Sequence, residues 1–503
     1  MSDPTSAPAP TSEASTADSF WQVVRHALRG EHHDFTAVAL NRAIILLAVP
    51  MVLEMVMESL FAVTDVFWVS RLGKEAVAVV GITESVMTLI YAVAIGVSIA
   101  ATAIVARRIG EKNPEAAAHA GGQIILLGAV VAALLGLGLG GYAPQILRFM
   151  GADDAVASSG ATFARIMLGG NITVFLIFVI NAIFRGAGDV VLAMRTLWLA
   201  NSINILLGPC LVFGLGPFPH LGLAGAGLAT NIGRGIGVLY QLAHLIGRSG
   251  RIRLQLRHAV PERAVILSVL RMSASGAGQL LINTTSYIGL IRILAPFGSA
   301  ALAGYTIAFR VFIFALLPAW GLANAGATLV GQNLGAKKPD RAEAAVRIAT
   351  RYNMLFLGCL GLIFVTCATP LIRIFSSDPE VVSNGSRALW IMSLGFPIFA
   401  AGMCSTSAFN GAGDTRTPTL LNFVSFWLGE LPLAWLLSSY FGLGPTGVYI
   451  AVPTAFTILA VWGEIIFRRG RWKRHWETLH PSEAVEGEPG AADNKREPVG
   501  ISE

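Results

Sequence analysis

Charge is what this 503-residue chain has least of: Asp, Glu, Lys and Arg make up 13% of it, against roughly 25% in an ordinary soluble domain. A large soluble enzyme needs a charged surface and a lipid-facing surface does not, so the deficit excludes the first and points to a polytopic membrane protein. Cysteine is scarce too. Cys210, Cys359, Cys367 and Cys404 all sit in apolar runs without metal-ligand spacing, which excludes a disulfide framework or a zinc site. Neither H-E-x-x-H nor G-x-S-x-G occurs, and the nine histidines lie mostly in tails and loops. The chain therefore reads as a non-enzyme without a cofactor. The polar N-terminal stretch has no short apolar core followed by a cleavage site, so no cleavable signal peptide is expected.

What the sequence has in abundance is long apolar runs and 54 glycines. Runs of spanning length, about 20 residues, are expected near 40–68, 76–105, 119–141, 159–183, 192–214, 222–246, 265–294, 301–329, 347–371, 386–408, 417–440 and 446–468. Twelve helices define an all-α polytopic fold. Lys and Arg collect in the N-terminal tail and in every second connection, among them Arg107, Arg108, Arg253 and Lys338. The positive-inside rule then puts both termini in the cytoplasm. The same bias accounts for the +6 net charge without any nucleic-acid partner.

Phrases recur at a fixed spacing of 225. "FRGAGD" (184–189) returns as "FNGAGD" (409–414), "VARRIGEKNPEAA" (105–117) as "VGQNLGAKKPDRA" (330–342), and "EAVAVVGI" (75–82) as "AALAGYTI" (300–307). Each half holds an even number of helices, so the repeat is parallel, about an axis along the membrane normal. The expected organisation is a disordered cytoplasmic tail (1–38), a first lobe (39–247), a cytoplasmic linker (248–264), a second lobe (265–470) and a second disordered tail (471–503).

These motifs resemble the MATE (multidrug and toxic compound extrusion) transporters. The likeness covers roughly residues 40–468 and includes the opening helix "PMVLEMVMESLFAVTDVFWVSRLG" (50–73) and the paired G-A-G-D loops. It implies two pseudo-symmetric six-helix lobes set in a V around a central cavity. It also implies antiport, with H⁺ or Na⁺ entering and an organic, drug-like, often cationic compound leaving, and a site near the bilayer midplane. A bacterial inner membrane, lipid contacts and function as a monomer go with that reading.

Ionisable groups inside spans are functional candidates. Glu54, Glu58 and Asp65 share a stripe about 40° wide that rises about 16 Å along one helix. They form a candidate cation path or proton relay, or else interior carboxylates that hold helices in register. By depth alone Glu84 belongs beside Glu58 or Phe61. The family's first-lobe cation site, where the resemblance implies Na⁺, carries over to Asp65, Asn204, Thr230 and the Ala226 carbonyl. Its second carboxylate falls on Gly208, so Glu58 or Glu54 is expected to supply the missing charge. The seventh and tenth spans lack acids, and the seventh offers only Gln279 and Asn283. Glu430 and Trp427 are expected to meet a cationic substrate, with Arg310 as the alternative partner of Glu430, and Tyr91 and Tyr305 to line the cavity. Arg185, Asp189 and Asp414 are assigned to the repeated loops, where the aspartates cap the following helices. A lipid-linked oligosaccharide flippase of the same superfamily is the alternative. Its cavity is expected to be basic, whereas the charge inside these spans is mainly acidic.

Overall fold

The computed structural model describes residues 20–474 apart from 32, 248 and 249. The described residues contain no strand. The helices are α1 (Phe20–Arg29), α2 (Leu40–Ser70), α3 (Lys74–Gly110), α4 (Pro114–Gly141), α5 (Ala143–Phe149), α6 (Asp154–Gly169), α7 (Asn171–Ala187), α8 (Val190–Phe213) and α9 (Leu223–Ile246). The second half adds α10 (Arg263–Leu294), α11 (Ser299–Gly335), α12 (Pro339–Arg373), α13 (Pro379–Leu394) and α14 (Phe396–Gly411). It ends with α15 (Arg416–Tyr440), partly wound in wider turns, and α16 (Pro445–Arg468). Among the described residues ten segments are long and apolar enough to cross a bilayer, with α6 and α7 counted as one. The pair α13 and α14, bent by 56°, makes an eleventh. Helix α9 has spanning length but carries Asn231, Arg234 and Gln241. Together these are the twelve spans expected, six to a lobe.

The 225-residue repeat is written into the backbone as well as the sequence. It carries the ends of α3 onto the ends of α11, and those of α6 onto α13. Left-handed residues repeat in step. Gly73 and Gly298 have φ of 102° and 101°, Gly188 and Gly413 have 84° and 85°, and even Lys112 and Lys337 have 58° and 56°. A lysine rarely takes this conformation, because its Cβ crowds the backbone. Both lobes keep it at the same turn, in the G-x-K-x-P loops.

Glycine decides where the lobes meet. A Cβ built on Gly110 of α3 would stand 2.0 Å from the Gln332 carbonyl oxygen of α11, and one on Gly335 would stand 2.1 Å from the Arg107 carbonyl oxygen. These two approaches exchange under the repeat. Two further glycines at equivalent positions also approach the other lobe: a Cβ on Gly96 would stand 2.3 Å from the Ser273 oxygen and one on Gly321 2.7 Å from the Met51 oxygen. All four lie in the halves of the helices nearest the inter-lobe linker. Toward the other end Val63, Val66 and Val77 are exposed. The lobes meet closely at the linker end; the V implied by the resemblance would spread them at the other. Gly335→Val is expected to break the seal. With the four native cysteines removed, a reporter at Thr328→Cys, a position buried here, should then be labelled by a thiol reagent from the linker end. Unchanged labelling would show that the glycines do not set the closure.

The N-terminal stretch departs from the expectation of a disordered tail over 1–38. Helix α1 is amphipathic, with Val23 and Ala27 buried and Trp21 exposed, and Phe35 is buried. Its burial follows from the linker: Arg251 donates to the His33 carbonyl at 2.5 Å and to the Ala187 carbonyl at 3.0 Å, and lies 5.4 Å from the Phe35 ring. Lys338 of the second lobe donates to the Thr36 carbonyl at 3.0 Å. In the tail assigned to 471–503, a short helical turn at Arg471–Arg474 buries Trp472; residues 1–19 and 475–503 lie outside the described residues.

Candidate functional site: a charged network in the first lobe

The stripe of acids on α2 does not face one environment. Glu54, nearest the seal, is fully buried. Its Oε1 accepts from Arg185 Nη1 at 2.7 Å and Asn181 Nδ2 at 3.1 Å, both on α7. Asn181 in turn accepts from Gln241 of α9 at 2.6 Å. One turn along, Glu58 accepts from Arg234 Nη2 of α9 at 2.6 Å and from Asn201 Nδ2 of α8 at 2.9 Å. Two turns further, Asp65 is half-buried. Among the described residues no hydrogen bond or ion pair reaches its carboxylate, and Glu84 and Arg234 are the charges within electrostatic reach.

These are the surroundings of Glu58 and Glu54, the two acids expected to replace the carboxylate missing at Gly208. Each is already neutralised by a buried arginine. A carboxylate satisfied in this way holds helices together, and breaking such a pair leaves an uncompensated charge in low dielectric. Arg185 is likewise not a loop residue. It lies in the last turns of α7, buried, and its carbonyl accepts from Thr328 of α11 at 3.3 Å, while Gln332 donates to the Gly186 carbonyl at 2.9 Å. The Glu54 network thus ends on the seal between the lobes. Arg234 is the residue that sequence reading missed. The rule that makes intramembrane acids informative applies equally to an arginine in the middle of "NIGRGIGV".

Glu84 has charged neighbours on both lobes. It is exposed, and its charged neighbours are Asp65 and, from the other lobe, Arg310. Arg310 is not the partner of Glu430, whose Oε2 accepts from Ser286 Oγ at 2.7 Å. Trp427 is 40% exposed and Glu430 4%, so they do not form a joint cation box. The Trp427 indole donates to the Ile282 carbonyl at 3.3 Å. Tyr305 is fully buried, stacked 6.0 Å from both Phe309 and Tyr449, and packs the second-lobe core rather than lining a cavity. Tyr91 lies in the first lobe, edge-on to Phe178 at 5.9 Å. The Asn283 oxygen is buried without a partner.

Of the repeated aspartates, Asp414 caps as expected, accepting from Thr417 N at 3.1 Å and Thr417 Oγ1 at 2.5 Å. Asp189 makes no such cap. Its carboxylate instead lies 3.5 Å from Arg251 Nε and accepts from the Arg251 backbone N–H at 3.2 Å, fixing the linker. Burial lowers the Arg251 guanidinium from its usual value while Asp189 and Asp34 hold it up. An i, i+4 ion pair closes the last span, with Arg468 Nε 2.6 Å from Glu464.

The repeat makes the contrast between lobes exact in position and opposite in chemistry. The equivalents of Glu54 and Arg185 are Gln279 and Asn410, which bond each other reciprocally at 3.1 Å. The equivalents of Asn201, Thr230 and Arg234 are Phe426, Ala455 and Leu459, all buried and apolar in surroundings. One lobe is charged where the other is aromatic and aliphatic.

The implied Na⁺ site does not fit these residues. Asn204 Nδ2 donates to Thr230 Oγ1 at 2.8 Å, and that hydroxyl donates to the Ala226 carbonyl at 3.1 Å. The Thr230 hydroxyl and the Ala226 carbonyl are used on one another, and the second carboxylate is absent at Gly208. A hard cation needs its oxygen ligands free and convergent.

A twelve-span bundle of two parallel six-helix lobes, with buried ionisable groups inside its spans, is the framework of a secondary transporter. The MatE family model matches residues 50–210 and again 277–436, one match to each lobe. The chain belongs to this family, the MATE transporters. It is 27% identical over 436 residues to the probable multidrug resistance protein NorM of Thermotoga maritima, covering 86% of this chain and 94% of the relative. It is 26% identical over 442 residues to the FAD transporter of Shewanella oneidensis, covering 86% and 95%. Its fold matches a crystal structure of MATE in complex with MaL6 at a TM-score of 0.82 and 23% identity, covering 87% of this chain and 98% of that one.

Proposed function

We propose that the protein exports organic, drug-like compounds, cations prominent among them, in exchange for protons, with Asp65 as the proton carrier. The observation that carries this reading is the division of labour on α2. Glu54 and Glu58 are neutralised by Arg185 and Arg234, which leaves Asp65 as the carboxylate of the stripe without a hydrogen-bonded partner among the described residues. A group whose charge is not already compensated is the one whose protonation changes the energy of a conformation. Asp65 lies toward the spread end of α2. It can take a proton there while Gly110 and Gly335 keep the linker end shut. Once protonated it no longer attracts Arg234 or a cationic substrate, so proton entry and substrate release are the same event. Reversal of the V then opens the linker end, where the proton leaves and the next substrate enters.

The names of relatives such as the multidrug resistance protein NorM support drug export. The abundance of Lys and Arg around the seal and linker supports a cytoplasmic linker end, with both termini on that side of a bacterial inner membrane. Each lobe carries half of the machinery within one chain, which supports a functional monomer. The test is efflux of a cationic dye from proteoliposomes with pH and Na⁺ gradients imposed separately. An inward-directed proton gradient is expected to drive it. Efflux indifferent to both gradients would remove antiport.

A further inference from the structure

We propose that Arg234 is the resident cation of the first lobe: its guanidinium supplies, as part of the chain, the positive charge that an alkali ion would bring, and it thereby excludes Na⁺ from coupling. The inference rests on the reading of the chain as an ion-driven exporter and specifies what that reading leaves open.

Arg234 lies on α9 four residues after Thr230. That spacing puts both side chains on one face, about 6 Å apart along the axis. The guanidinium is 3% exposed. It is set 5.2 Å from the Phe61 ring and 5.6 Å from the Phe178 ring, a contact that favours a weakly hydrated planar cation. Nη2 holds Glu58 at 2.6 Å, and Asp65 is in electrostatic reach. The Nε and Nη1 groups are buried without a hydrogen-bond partner. This corner of the lobe therefore presents N–H donors and positive charge, where an alkali ion requires acceptors. Two carboxylates, Glu58 and Asp65, face one fixed cation. A proton on Asp65 balances them without needing a coordination shell. A Na⁺ ion would have to sit beside the guanidinium and take Thr230 and Asn204 away from each other.

Like charges roughly 6 Å apart at an effective dielectric of about 20 weaken binding by about a hundredfold. Arg234→Gln removes that repulsion and adds an oxygen beside two acids, so the variant should acquire a Na⁺ site. The experiment compares thermal unfolding of the purified protein in NaCl and in choline chloride at equal ionic strength, then dye efflux under a Na⁺ gradient. Wild type and Arg234→Lys, which keeps the charge, should show no Na⁺-specific shift. R234Q should be stabilised by Na⁺ with at least about tenfold tighter apparent binding than wild type, and its efflux should respond to the Na⁺ gradient. Na⁺-specific stabilisation of wild type, or a folded R234Q indifferent to Na⁺, overturns the proposal. Should R234Q not be recovered folded, Gly208→Asp carries the test, because it restores the missing carboxylate with Arg234 in place. Indifference of G208D to Na⁺ supports the proposal, and stabilisation by Na⁺ overturns it in favour of the missing acid. Wild-type efflux driven by Na⁺ removes only the role of Arg234, whereas efflux driven by neither gradient removes the exporter reading beneath it.

Discussion

Asp65→Asn is expected to abolish proton-driven efflux, by roughly a hundredfold or more, while leaving the protein folded. The asparagine keeps the shape and the polar atoms but cannot alternate between charged and neutral forms. No hydrogen bond or ion pair to the carboxylate is lost among the described residues, so the cost to stability should be small, within about 1 kcal/mol, as for a substitution that breaks no network. Substrate binding measured without a gradient should survive for neutral compounds and weaken for cationic ones, which separates the loss of coupling from a loss of fold. Efflux by D65N at a substantial fraction of the wild-type rate under a pH gradient would transfer the proton-carrying role to another group. Glu84, in electrostatic reach of Asp65 on the same open side, would be the next to test.

Glu54→Ala should give the largest loss of stability, about 3–5 kcal/mol, because it leaves the Arg185 guanidinium buried without its counter-charge. Arg185 is 10% exposed and Glu54 1%, so solvent does little to screen the loss. The molecule holds its own control for this change. At the equivalent place in the second lobe the same contact is made by Gln279 and Asn410, which are neutral and bond reciprocally. The double variant Glu54→Gln with Arg185→Asn copies that pair into the first lobe. It should recover more than half of the stability that the single change loses. Thermal unfolding of the three proteins in one detergent reads this directly. A double variant no more stable than Glu54→Ala would mean that the charge itself, rather than a satisfied contact, is required at this crossing. The Arg185 carbonyl also receives Thr328 from the other lobe, so the single variant should loosen the seal as well as the first lobe.

The architecture was legible because its signals are local or periodic. The spans follow from hydropathy, and the two lobes from phrases spaced by 225. Even the equal φ values at Lys112 and Lys337 follow from a loop written twice. The site was legible only in part. That α2 carries three acids on one stripe could be read from spacing, and Asp65 kept the role assigned to it as a proposal. The partners of Glu54 and Glu58 could not be read, because they come from far along the chain, 131 residues away for Arg185 and 176 for Arg234. Arg185 itself was misplaced because α7 continues past the expected end of its span, through "FRGA", and carries the arginine inside. Tyr305 was misread for a related reason. An aromatic on a span can face a cavity or a neighbour, and only the stack with Phe309 and Tyr449 shows which.

By itself the sequence determined that this is a membrane protein of two like halves, with its ionisable residues gathered in the first. Low charge, long apolar runs and an exact repeat leave few other ways to satisfy the backbone in lipid. Which carboxylates gain a buried partner was decided only by the tertiary structure. That depends on distances across the lobe. Helices α7, α8 and α9 bring Arg185, Asn201 and Arg234 within hydrogen-bond distance of Glu54 and Glu58, and among the described residues they bring no such partner to Asp65.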